Sequence, residues 1–224
     1  MSMPISDPAG RCGAALALAA ALVSACAPPP GGIEMRSVAR GRALVMAAGR
    51  AIAIIPPEGY CILPDSARTG DAGAVVLIGA CPGDAAADRP PALITALVSA
   101  EPLFRPGAPI EEELDRLEAF LSEETGRALI GRAGDPGPAP AVLETHREDD
   151  ALILLVEDSG TPALPVASPR FWRAFLEIDG RMVSLTVNSL SRDRGEERAG
   201  LALMRALIAA LRAGNRPPAL RGAA

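Results

Sequence analysis

The stretch Phe171–Leu190, FWRAFLEIDGRMVSLTVNSL, decides how this chain folds. Two segments of alternating apolar residues flank Asp179-Gly180. That dipeptide tolerates positive φ at both central positions of a two-residue hairpin turn. Trp172, Ala174, Leu176 and Ile178 share one face of the first segment; Val183, Leu185 and Val187 share one face of the second. Side chains alternate across a strand, so this pattern predicts an antiparallel hairpin with one face on a core.

Reading outward, AVLETHR and ALILLVED flank Glu148-Asp149-Asp150, a second hairpin with a charged turn. Ala43–Met46 and Ala51–Ile55 read as strand, turn and strand. Ala74–Ala80 and Ala92–Ser99 are apolar runs of strand length. Ile110, Leu114, Leu117 and Leu121 fall on one helical face, predicting a helix over 110–125. Glu111, Glu112 and Glu113 suit the positive end of its dipole, and Gly126 suits its C-terminal cap. Ala128–Ile130 reads as a short strand. A last helix over 196–213 buries Leu201, Met204, Leu207, Ile208 and Leu211, with Gly214 as its cap. Hairpins with helices covering a sheet face give an α+β domain: an antiparallel sheet of hairpins with two main helices packed on it. The hairpin-then-helix ending resembles PsbP-like domains. That resemblance implies an α/β/α sandwich of the kind found in photosystem assembly proteins and small bacterial lipoproteins.

The N-terminal segment speaks to location. Arg11 precedes an apolar run, Cys12–Val23, about half the ~20 residues a membrane-spanning helix needs. Small residues follow, as in a secretory signal peptide. Val23-Ser24-Ala25-Cys26 resembles the lipobox of bacterial lipoproteins. The resemblance implies a diacylglycerol group on the Cys26 thiol, cleavage between Ala25 and Cys26, and acylation of the new amino group. Two or three chains, palmitate among them, hold a protein stably on a bilayer. Ala27 stands where Asp would be the usual inner-membrane retention signal, so the expected site is the outer membrane, facing the periplasm. The expected organisation is a signal peptide over 1–25, a lipidated Cys and Pro/Gly-rich tether over 26–42, one domain over 43–214, and a flexible tail over 215–224. Arg36, Arg40, Arg42 and Arg50 follow the anchor and read as solvated charges around a first strand.

Cys12 leaves with the signal and lipid takes Cys26, so Cys61 and Cys81 remain, an even pair in an oxidising compartment. They are expected to form a structural disulfide. The spacing lacks the C-x-x-C of redox pairs, and one His with two distant Cys is a poor metal-ligand set. PPEGYCILPDS (56–66) followed by AVVLIGAC (74–81) also resembles a group of uncharacterised bacterial envelope proteins that share a Gly-Tyr-Cys stretch and a second Cys after an apolar strand.

The sequence supplies little chemistry. The formal net charge of −5 argues against a nucleic-acid partner. All 22 positive residues are Arg, which excludes Schiff-base and P-loop chemistry that needs Lys. Glu157-Asp158-Ser159-Gly160-Thr161-Pro162 superficially resembles the nucleophile stretch of trypsin-like proteases, but the only His, His146, lies thirteen residues upstream across the predicted hairpin. Glu148, Asp149 and Asp150 read as turn residues before they read as a cation site. Trp172 and Phe175 fall on opposite faces of one strand, so at least one is expected exposed beside Arg173, making Trp172, Arg173 and Phe175 a candidate contact patch; core packing is the favoured reading for Trp172. No cofactor is expected. The leading expectation is a non-catalytic, membrane-anchored envelope lipoprotein that binds or steadies another envelope component, with the lipid bilayer as its first partner. Its alternatives are an envelope hydrolase using the Ser159 loop and a cation- or small-ligand-binding accessory of a transporter.

Overall fold

A computed structural model describes residues 32–83, 89–131, 139–160, 167–191 and 195–216. The expected signal peptide, its expected cleavage site and Cys26 lie outside these residues. The elements run β1 (Ile33–Ala39), β2 (Arg42–Ala47), β3 (Arg50–Ile54), β4 (Tyr60–Ile62), β5 (Arg68–Gly70), β6 (Gly73–Ala80), β7 (Ala92–Val98), α1 (Ile110–Ser122), α2 (Glu124–Ile130), β8 (Ala141–Glu148), β9 (Ala151–Glu157), β10 (Arg170–Ile178), β11 (Arg181–Ser189) and α3 (Gly195–Asn215). β1–β3 form a three-stranded antiparallel sheet. The other strands form a second sheet, ordered β4-β6-β7-β11-β10-β9-β8, with β5 pairing β6. The domain is therefore α+β, with antiparallel sheets and three helices.

The β10–β11 hairpin forms as its pattern predicts. Asp179 and Gly180 take φ of 50° and 72°, so the two-residue turn matches the strand twist. Leu176 pairs with Val183 and Ala174 with Leu185. Both sides of this hairpin meet one core with Leu203, Met204, Leu207, Ile208 and Leu211 of α3. Val45, Ile52 and Ile54 of the small sheet join the same core. β9 is apolar without alternation because both its faces are covered: Ile153 and Leu155 face α3, whereas Leu152, Leu154 and Val156 face a second cluster with Leu114, Leu121 and Ile130 of α1 and α2. Helices thus lie against opposite faces of the large sheet.

Several expectations change. The segment expected as one helix over 110–125, followed by a strand at Ala128–Ile130, is two helices, and Ala128–Ile130 belongs to α2. The break is Glu123, whose backbone is extended (φ −81°, ψ 157°). Gly126 lies inside α2 rather than capping α1. A Cβ there would sit 1.9 Å from the Phe120 carbonyl oxygen, so the close turn of α2 against the end of α1 requires glycine. Gly214 likewise lies within α3, against Ile55, where a Cβ would meet Cδ1 at 2.1 Å. Ile110, expected on the buried stripe of α1, is exposed, and Glu113 is buried. β1 occupies Ile33–Ala39, inside the span expected as tether; five of its seven residues are exposed, which left little apolar pattern to read. Asn215, expected in the tail, ends α3. Its side-chain amide accepts from the Ala53 N–H and donates to the Ala53 carbonyl, both at 2.8 Å, and so pairs with β3 as a neighbouring strand would.

Candidate functional site

Cys61 and Cys81 lie at disulfide-bonding distance, with sulphurs 1.94 Å and Cα atoms 4.9 Å apart. Cys61 is on β4, and the β4–β6 register sets Cys61 opposite Gly79, two residues before Cys81. The pair ties the short β4 to the end of β6 at the rim of the large sheet. A cross-link closing a loop of this length contributes about 3 kcal/mol on the chain-entropy estimate.

Trp172, Arg173 and Phe175 do not form an exposed contact patch. Trp172 is buried under α3, where its indole N–H donates to the Glu197 carbonyl at 2.7 Å. Phe175 points to the opposite face and packs, half-buried, against the α1–α2 cluster. Alternation separated the two rings correctly; the helices on both faces took them out of solvent. Arg173 follows Phe175 to that outer face. One of its terminal N–H groups donates to the carbonyl of Ile130, the last residue of α2, at 2.7 Å. The guanidinium carbon stands 5.8 Å from the Phe175 ring centre. Arg173 Nε is shut off from solvent and meets no acceptor. No carboxylate pairs with Arg173 among the described residues, and burial alone pushes its guanidinium below the ordinary arginine value.

The register carries the row begun by Arg173 across the sheet. Arg173 faces Thr186 on β11, Thr186 faces Thr95 on β7, and Thr95 faces Leu77 on β6. The apolar cluster under α1 and α2 draws its sheet residues from β8, β9 and β10. Beyond it, Thr186, Thr95, Leu77, Leu93 and Leu97 are all half-buried. This face is the most distinctive feature of the described surface: a half-buried cation with no carboxylate partner at one end, two threonines in its row, then aliphatic side chains.

The remaining candidates resolve into structure. His146 lies beside the Trp172 ring (centroids 5.6 Å apart), with Nε2 3.3 Å from a Glu144 carboxylate oxygen. It pairs in register with Ile153, six residues from Ser159 along the chain, or about 20 Å in an extended strand. The structure does not bring Ser159 and His146 together. Asp158 is buried and accepts from the Gly160 N–H at 2.8 Å, as a turn residue does. In the charged turn, Glu148 takes Arg205 at 2.6 Å, Asp149 takes Arg212 at 2.9 Å, and Asp150 also pairs with Arg212. Those carboxylates fasten the β8–β9 turn to α3. No group of His, Cys, Asp and Glu that could hold a metal ion occurs among the described residues.

One buried carboxylate escaped the sequence reading. Glu113, 3% exposed, accepts from the side chain of Arg116, and from both the backbone N–H (3.1 Å) and side chain (2.9 Å) of Arg105. The Arg116 guanidinium, with help from Arg105, holds the Glu113 carboxyl down at about 2, against burial. Only Arg116, three residues on, offered a clue. Glu113 pins the loop before α1 to the helix, and Glu177 of β10 holds the same loop by accepting from the Leu103 and Phe104 N–H groups.

Compared with known proteins, the chain matches no protein family, no curated protein and no solved structure.

Proposed function

We propose that this protein is a non-catalytic envelope lipoprotein, held on the periplasmic side of the outer membrane by acyl chains on Cys26, whose α+β domain binds or steadies another envelope component. The observation that carries this reading is Val23-Ser24-Ala25-Cys26 at the end of a short apolar run. The Cys61–Cys81 pair at bonding distance suits an oxidising compartment. No helix among the described residues is long and apolar enough to cross a membrane. The likeness to PsbP-like domains belongs to the same proposal and rests on element order, a hairpin followed by a terminal helix.

β1 begins at Ile33, seven residues after Cys26. Extended chain covers ~3.5 Å per residue, so the first strand would stand within about 25 Å of the lipid surface. The domain would work close to the bilayer rather than at the end of a long leash.

The intact mass of the chain extracted from membranes tests the anchor. The expected species starts at Cys26, carries added diacylglycerol and acyl mass, and shows no free thiol when denatured without reductant. A mature chain starting at Cys26 without acyl mass overturns the lipidated reading. Crosslinking in intact cells tests the assembly role, with a defined envelope protein attached to the domain as the expected product.

A further inference from the structure

We infer that the outer face of the large sheet over β6, β7 and β11 binds a fatty carboxylate, with Arg173 receiving the head group and the leucines of β6 and β7 the chain.

The first ground is charge. Arg173 carries five N–H donors, and its recorded acceptor is the Ile130 carbonyl. Its Nε is out of solvent and unpaired. Arg173 is half-buried and has no carboxylate partner among the described residues, so a bound carboxylate can take charge-assisted hydrogen bonds from its terminal N–H groups. The second ground is the neighbouring surface. Thr186, next to Arg173 in the row, offers a hydroxyl donor to a head group, and Thr95 lies one strand further along the path of the chain. Leu77 ends that row, with Leu93 and Leu97 flanking Thr95 on β7. Three strand spacings separate Arg173 from Leu77, about 14 Å, which accommodates a medium-length acyl chain. The third ground is stoichiometry: the row holds one cation, matching a head of one negative charge.

This inference goes beyond the envelope role proposed above and holds whether or not Cys26 is lipidated. The test uses the purified full chain mixed with phosphatidylcholine vesicles and a dodecanoate bearing a terminal diazirine. Photolysis is expected to label β6 and β7. The corresponding alcohol should label at least about tenfold less, the factor that loss of a charged hydrogen bond brings. Arg173→Met should reduce dodecanoate labelling to the level of the alcohol. Arg173→Met also removes the Ile130 contact, so Leu97→Glu serves as a second variant. It keeps Arg173 and should abolish labelling by placing a like charge under the chain, with near-UV circular dichroism checking the fold. Equal labelling by acid and alcohol overturns the inference, as does labelling that survives both variants. Displacement by inorganic phosphate as effective as by unlabelled dodecanoate would reduce the feature to a small-anion site and overturn the acyl component.

Discussion

On one face of the large sheet, α3 and the small sheet bury Ile94, Leu176, Leu185 and Val187, none more than 1% exposed. On the other, α1 and α2 cover only the β8–β10 end, and the residues there include Arg173, Glu113 and Glu177 along with Phe171 and Leu154. The first face is apolar and closed. The second holds its loops and helices through buried charge and leaves β6, β7 and β11 half-covered. Stability therefore concentrates on the α3 face, and features able to recognise a ligand concentrate on the outer face. Buried polar groups cost stability unless paired, so the outer face is the costlier of the two.

The largest expected effect falls on the closed face. Leu185 is fully buried and sits opposite Ala96 and Ala174, small residues that cannot fill a void left beside them. Leu185→Ala is expected to cost about 2–5 kcal/mol in a denaturant titration under non-reducing conditions. Leu97→Ala, on the half-covered face of β7, should cost much less. Equal losses at the two positions would break the distinction between the faces.

That closed face was also the legible one. Its strands alternate or run apolar throughout, and Asp179-Gly180 sets the register of the central hairpin. The outer face was not legible, because its character comes from contacts distant in sequence. Arg173 reads as a solvent-side strand residue until α2 places the Ile130 carbonyl over it, 43 residues away along the chain. The break at Glu123 was hard to read because two strong helix formers, Glu123 and Glu124, stand at it with no Pro to mark it. Gly126 was read as a stop signal when its role is the close approach to Phe120. The disulfide pair could be read because the lipobox reading sets Cys12 and Cys26 aside and leaves two cysteines. A half-buried arginine without a carboxylate partner has no such arithmetic.

A second, smaller effect follows from Glu113, the buried charge that fixes the outer face. Its carboxyl titrates at about 2 in the folded chain, below its ordinary value of 4.5. A depressed folded value means that the unfolded chain binds the proton more readily. The contribution of Glu113 to stability is therefore present in full above about pH 4.5 and disappears as the pH falls toward 2. Glu113→Gln should lower the melting temperature near pH 7, and this difference from the unmodified chain should shrink across that acid window. A difference that stays constant from pH 7 to pH 2 would mean that Glu113 acts through shape alone, and the electrostatic account of the outer face would lose its clearest support.

The smallest effect is expected where charge lies at the surface of the α3 side. Arg212, a quarter exposed, takes Asp149 and Asp150 and also donates to the Glu148 carbonyl at 3.2 Å. These contacts join the β8–β9 turn to the last turns of α3, but both carboxylates reach solvent. Exposed pairs of this kind contribute ~1 kcal/mol or less and weaken with salt. Arg212→Ala should therefore lower stability by no more than about 1 kcal/mol, with the difference narrowing as ionic strength rises. A loss as large as that of Leu185→Ala would show that the closed face depends on its charged rim as well as on its core. The contrast between the two faces would then be one of degree, with ion pairs organising both.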